Sequence, residues 1–226
     1  MKRPRAILFD LDGTLIDTAP DFIRCLNAVR ERYKLPHLPE PDIREAVSDG
    51  ARAMIHVGFG LTPEDEDYFD RHSEFLDLYE SEIAVETKLF PGMADLLTWL
   101  EENRIAWGIV TNKPRRFSVP LLHALDLHDR CDALVCPDDV DQRKPHPESL
   151  FLASELLHIP AADCVYVGDH VRDIEAGRRA GMTTVAARYG YIRHPGEIPG
   201  WQADFVIDSA GQLLAMLQNR YTGKEA

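Results

Sequence analysis

Four short apolar runs in this chain each lead into polar or acidic residues. Ala6–Phe9 stops at Asp10-Leu11-Asp12-Gly13, and residues 105–110 stop at Thr111-Asn112. Ala133–Val135 leads to Asp138-Asp139 and then Lys144, and residues 164–167 stop at Gly168-Asp169. Runs this short, without polar alternation and closed by turn residues, read as strands buried on both faces. Helical patterns separate them. Met93, Leu96, Leu97 and Leu100 repeat at i, i+3, i+4 and i+7, and residues 149–157 and 174–180 also read as helices. A helix from Pro114 is expected to bend at Pro120. Thr183–Ala187 and Phe205–Ile207 complete the strands, and residues 212–218 form a last helix before a tail, 221–226, expected to fray. Strand–helix alternation predicts an α/β fold: a doubly wound, Rossmann-like parallel sheet covered on both faces.

Residues 18–86 have another character. Phe22, Leu26 and Val29, then Tyr68, Phe69, Phe75, Leu76 and Tyr79, recur at helical spacing with charges between them. Pro36, Pro39 and Pro41, and later Gly58, Gly60 and Pro63, break the helices. The pattern predicts an all-helical unit, 18–86, inserted after the first strand into a core made of 1–17 and 87–226.

Composition narrows the partners. The chain has 226 residues, with 25 Lys and Arg against 38 Asp and Glu, a formal charge of −13. That acidity excludes nucleic acid or an anionic membrane as the main partner, though a few local cations suffice for an anionic small substrate. The cysteines, Cys25, Cys131, Cys136 and Cys164, lack metal-binding spacing and read as free thiols of a reducing compartment. No run approaches the ~20 apolar residues of a membrane span, and the basic N-terminus precedes too short an apolar stretch for a signal peptide. A cytoplasmic protein is expected.

In an open parallel sheet, ligands bind beyond the carboxyl ends of the strands. Strand ends that bring Asp10 and Asp12, Asp138 and Asp139, and Asp169 with Asp173 to one crevice make a crowded anionic site. A hard divalent cation relieves it, and Mg²⁺ suits a site shared by carboxylates, water and phosphate. Taken singly, Asp10–Gly13 could be an acidic turn, Lys144 a solvated lysine, and Asp169 and Asp173 a helix cap. Their joint occurrence at successive strand ends favours a site. An EF-hand is excluded, because the glycine comes too early and no closing glutamate follows.

Asp10-Leu11-Asp12-Gly13-Thr14-Leu15-Ile16-Asp17, Thr111-Asn112, Lys144 and Gly168-Asp169-His170-Val171-Arg172-Asp173 stand in the order and usual spacing of four motifs. By them the chain resembles the haloacid dehalogenase superfamily of phosphohydrolases, over nearly its whole length. The inserted helices resemble the cap of its phosphoglycolate-phosphatase-like branch. The resemblance implies Asp10 as nucleophile, Asp12 as proton donor and then acceptor, and Thr111 and Lys144 as phosphate-holding groups. It implies Mg²⁺ on Asp10, the Asp12 backbone carbonyl and Asp169, with Asp173 holding a metal-bound water or orienting Lys144. Asp12 distinguishes the chain from the dehalogenases themselves, and Phe22 stands where related sugar mutases carry a histidine. The cap has only Lys34, with Lys88 at its boundary, which disfavours the Schiff-base branch. Asn112, Gly50 and Arg52 are candidate substrate contacts, Arg52 for a substrate carboxylate, with Arg44 a weaker candidate. His170 departs from the commoner residue of its motif and receives no role. Segments including Gly50–Met54 and Arg188–Ile192 resemble a group acting on a phosphorylated amino-sugar acid, with phosphoglycolate the alternative substrate. A non-catalytic binding protein on the same fold is the reading of another class, against which every motif position is intact.

Overall fold

The computed structural model describes residues 3–222. Its chain divides into two units, residues 1–16 with 89–226 and residues 17–88.

The first unit is built on a six-stranded parallel sheet. In chain order its strands are β1 (Ala6–Phe9), β4 (Ala106–Val110), β5 (Ala133–Val135), β6 (Cys164–Gly168), β7 (Thr183–Ala187) and β8 (Phe205–Ile207). Their spatial order is β5-β4-β1-β6-β7-β8. β1 is central because all four of its residues are apolar and wholly buried, which only a strand covered on both faces and paired on both edges sustains. From β1 the chain order runs outward through β4 and β5 on one side and through β6, β7 and β8 on the other. The topology therefore switches at β1, and the crevice beyond its carboxyl end is where such sheets bind ligands.

Alternation along the strands sorts the two faces. Leu8, Val110, Val135 and Tyr166 join Leu150 and Ala153 of α7 (Glu148–Leu156) and Ala176 and Ala180 of α8 (Val171–Ala180) in one core cluster. Trp107, in register with Ile7, projects to the other face, where its indole N–H donates to Glu101 of α5 (Met93–Glu102) at 3.1 Å. On that face α5 packs against α10 (Ala210–Thr222). α6 (Arg115–Ala124) contains Pro120, and the short α9 (Ile198–Trp201) packs on α8. The sheet and both of its helical layers are those of a doubly wound α/β fold.

Two boundaries differ from those expected. α8 begins at Val171, three residues before Ile174, because His170 and Asp173 cap it reciprocally. The C-terminal helix runs to Thr222, and Tyr221 is anchored rather than frayed. Its ring meets Trp99 edge-on at 5.5 Å and Arg3 stacks over it, while its hydroxyl donates to the Pro4 carbonyl. The rest of the expected tail, 223–226, lies outside the described residues.

In the second unit, α1 (Ala19–Arg32), α2 (Glu40–Arg44), α3 (Ala51–Phe59) and α4 (Tyr68–Ser81) pack on one another, and Phe22 of α1 stacks on Tyr79 of α4 at 4.3 Å and tilts against Phe75. β2 (Ile16–Asp17) and β3 (Lys88–Leu89) pair where the chain passes between the units. Among the described residues no helix is long and apolar enough to cross a membrane.

The wholly buried Asp21 ties the start of α1 to the return segment. Its carboxylate accepts the Glu86 and Thr87 backbone N–H groups at 3.0 and 3.1 Å, the Thr87 hydroxyl at 2.6 Å and the Arg24 guanidinium at 3.0 Å. Burial opposes its charge, but these donors outweigh burial and hold the carboxyl below the usual carboxylate range. Asp21→Ala is expected to destabilise the protein by about 3 kcal/mol at pH 7, because it strands the buried donors. A carboxyl whose pKa is depressed on folding contributes above its unfolded pKa and loses that contribution as pH falls. The gap between the variant and wild type in urea unfolding, followed by circular dichroism, should therefore shrink below about pH 4.

Candidate active site

Lys144 is the centre of the site. Its side chain is 1% exposed, and its ammonium lies 2.9 Å from Asp10 Oδ1, 2.7 Å from Asp173 Oδ1, 2.7 Å from the Tyr166 hydroxyl and 2.9 Å from the Val110 carbonyl. Tyr166 in turn donates to the Val110 carbonyl at 2.9 Å. The ends of β1 and β4, the middle of β6 and the first turn of α8 thus meet at one cation. Burial alone would lower the lysine pKa, but Asp10 and Asp173 outweigh it and hold the ammonium charged. Burial pushes the Asp10 carboxyl up to about 6, with Lys144 pulling down and Asp173 pushing up. Two carboxylates share one ammonium, and Asp173, wholly buried, also accepts the His170 N–H at 3.1 Å.

Asp10 enters the site because β1 ends at Phe9, and its backbone N–H still donates to Val167 at 2.8 Å as the last rung of the ladder. Asp169 stands at the end of β6. Its carboxylate accepts the Tyr191 N–H at 2.8 Å and, at 3.4 Å, the Thr14 hydroxyl. Two glycines make room for it. A Cβ on Gly13, where φ is +82°, would lie 2.1 Å from Asp169 Oδ2, and one on Gly190 would lie 2.3 Å from the Asp169 Cβ.

Asp10, Asp169 and Asp173 each offer a carboxylate oxygen, all within 4.8 Å of one another. Three carboxylates and the Lys144 ammonium leave two surplus negative charges in a buried crevice, which one divalent cation neutralises. The donors are hard oxygens, the set suited to Mg²⁺ rather than to a thiophilic metal. Asp173 Oδ1 accepts the Lys144 ammonium and Oδ2 the His170 N–H, so this carboxylate is also part of the lysine's support.

Thr111, nearly buried at the end of β4, accepts the Lys113 backbone N–H at 3.0 Å, leaving its own proton to donate elsewhere. Asn112 is a brace, its amide donating to the Lys144 carbonyl at 3.1 Å. The Asp12 carboxylate meets the Lys113 ammonium. Gly50 and Arg52 belong to the other unit, Gly50 in a positive-φ turn before α3 and Arg52 exposed on that helix's first turn. Arg44 pairs with Asp17 and Glu40.

The crevice carboxylates do not include Asp138 and Asp139. Asp138 accepts the Arg115 backbone N–H at 2.8 Å, and Asp139 pairs with the Arg115 side chain and accepts the Cys136 N–H. They fix the start of α6. His170 Nδ1 accepts the Arg172 N–H at 3.1 Å, so this residue caps α8. Sequence reasoning missed Tyr166 and the contacts of Thr14 and Tyr191. A tyrosine in an otherwise aliphatic buried strand was the available signal for Tyr166, since its hydroxyl needs a partner.

A carboxylate beside a buried ammonium, a second carboxylate two residues on, and a carboxylate cluster suited to a divalent cation are parts with which an ester could be displaced from phosphorus. Residues 7–187 match the family model described as haloacid dehalogenase-like hydrolase. The chain belongs to that family. It is 46% identical over 222 residues to the N-acetylmuramic acid 6-phosphate phosphatase of Pseudomonas putida, covering 98% of this chain and 99% of that one. It is 41% identical over 216 residues to a phosphoglycolate phosphatase of Xanthomonas campestris pv. campestris, covering 94% and 96% of the two chains. The crystal structure of CbbY from Rhodobacter sphaeroides in complex with phosphate superposes with a TM-score of 0.75 at 26% identity, covering 95% of this chain and 99% of that one.

The cradle of Asp169 can be tested without turnover. Gly190→Ala is expected to leave a folded protein that binds Mg²⁺ about 10- to 100-fold more weakly in isothermal titration calorimetry, the usual effect of disturbing a ligand's support. Unchanged affinity would detach this loop from the cation site.

Proposed function

We propose that this chain is a Mg²⁺-dependent phosphomonoesterase that works through an aspartyl phosphate on Asp10. Its substrate is N-acetylmuramic acid 6-phosphate, and its setting is peptidoglycan recycling in the cytoplasm. The observation that carries the chemistry is the Lys144 ammonium held between Asp10 and Asp173. It keeps a nucleophilic carboxylate aimed and partly neutralised beside an approaching dianion.

Asp10 attacks phosphorus through a carboxylate oxygen, and the bond to the ester oxygen breaks. Asp12 gives its proton to that oxygen, so a neutral alcohol leaves. Water then attacks the aspartyl phosphate, gives its proton to Asp12, and releases phosphate with Asp10 regenerated. The Thr111 hydroxyl donates to a phosphate oxygen. Asp10, the Asp12 carbonyl and Asp169 would hold Mg²⁺, which would supply positive charge for the phosphoryl oxygens. Asp173 and Tyr166 fix Lys144. Burial and the neighbouring Asp173 and Asp10 charges push the Tyr166 pKa far above its usual value, so this hydroxyl stays a neutral donor.

The substrate reading is supported by 46% identity along nearly both full chains. Phosphoglycolate is the second reading, supported by the relative of that name at 41% identity. Both are primary phosphate esters that carry a carboxylate. The purified enzyme with Mg²⁺ is expected to show a higher kcat/KM for N-acetylmuramic acid 6-phosphate than for phosphoglycolate. The reverse order would replace the substrate and leave the phosphatase standing. Asp10→Asn, nearly isosteric, should fold and lose more than about 10³-fold in kcat, as removal of a nucleophile does. Near-normal turnover in that variant would remove the covalent mechanism.

A further inference from the structure

We propose that Lys113 is a positioning residue for proton transfer, holding the Asp12 carboxyl where it meets the leaving oxygen and later the attacking water. This rests on Asp12 being the acid and base of the reaction above. The Lys113 ammonium lies 3.1 Å from Asp12 Oδ1 and 3.3 Å from Oδ2, with the two side chains 5% and 17% exposed. A lysine so buried is not part of a solvated face. Its backbone is fixed on both sides. Its N–H donates to Thr111 Oγ1 at 3.0 Å, and its carbonyl accepts the wholly buried Ser118 hydroxyl at 3.1 Å. Lys113 therefore projects from a locked turn at the start of α6 onto a carboxylate that sits in a loop.

The contact suits guidance of a proton. An ammonium facing both oxygens restrains the carboxyl's rotation and takes a lone pair from each. The proton passes to or from the reacting oxygen through a carboxyl held in one orientation. In the first step Asp10 forms a bond to phosphorus, the ester P–O bond breaks, and the Asp12 proton moves to the departing oxygen. Lys113 neither gains nor loses a proton in this scheme. A proton donor displaced by about 1 Å can lose on the order of 10²-fold in rate.

The test exploits the leaving group. An alkyl alkoxide needs a proton to depart, whereas a dinitrophenolate does not. The readout is kcat/KM, which reports only the steps through phosphorylation of Asp10. Lys113→Met is expected to lose about 100-fold on N-acetylmuramic acid 6-phosphate or phosphoglycolate, whichever the enzyme prefers, and less than about 3-fold on dinitrophenyl phosphate. Asp12→Asn should show the same dependence more steeply. Equal losses on alkyl and aryl esters in Lys113→Met, with a steep dependence in Asp12→Asn, would overturn the role of Lys113 alone. So would a matching rise in the inhibition constant of inorganic phosphate, which would make Lys113 a phosphate ligand. No leaving-group dependence in Asp12→Asn would instead overturn the reading of Asp12. Should Lys113→Met fail to give a wild-type melting curve, Lys113→Gln, which keeps a shorter polar chain, is expected to show the same selective loss.

Discussion

A single ammonium with two carboxylates, a tyrosine hydroxyl and a backbone carbonyl within hydrogen-bond reach organises the core of this protein. Lys144 gathers Asp10 from β1, Val110 from β4, Tyr166 from β6 and Asp173 from α8. Burying that ammonium is tolerable only because Asp10 and Asp173 accompany it, and burying the two carboxylates only because Lys144 stands between them. Removing any one member strands the others. The cluster is therefore a structural keystone and a functional one. In the proposed function it fixes the carboxylate that attacks phosphorus, and it leaves surplus negative charge that a divalent cation would neutralise.

The sheet supplies the place for this cluster. β1 lies between β4 and β6, where the chain's outward progress reverses, so three strand ends open into one crevice. Buried apolar strands are stiff supports, and polar residues just past their ends are exposed to ligand while their backbones remain in the ladder. Asp169 shows how finely the surrounding loops must fit, since any side chain on Gly13 or Gly190 would collide with it. The loop that follows β7 thus serves the carboxylate at the end of β6 through the Tyr191 N–H.

Much of this was legible in the sequence because the relevant signals are local. An apolar run that stops at an aspartate states both a strand and a strand end, so Asp10, Thr111 and Asp169 could be read as crevice residues and the parallel sheet could be inferred. What escaped depends on long-range geometry or on capping. Asp138 and Asp139 follow a strand just as Asp10 does, but a proline and a 3₁₀ turn direct them to Arg115. His170 lies beside a candidate metal ligand in sequence, yet its ring nitrogen is committed to the N-terminus of α8. Tyr221 stands close to the chain's end and resembled a tail residue, since its partners Arg3, Pro4 and Trp99 are far away in sequence. The pairing of Lys113 with Asp12 crosses about a hundred residues, and neither residue type announces it.

The central claim is that Lys144 holds Asp10, among several neighbouring carboxylates, as the one that takes the phosphoryl group. Acid quenching during turnover, followed by borohydride reduction, converts an aspartyl phosphate to homoserine, which mass spectrometry locates by residue. The account predicts homoserine at Asp10 and intact aspartate at Asp12, Asp169 and Asp173. Steady turnover with an unmodified Asp10, or homoserine at another of these positions, would contradict it.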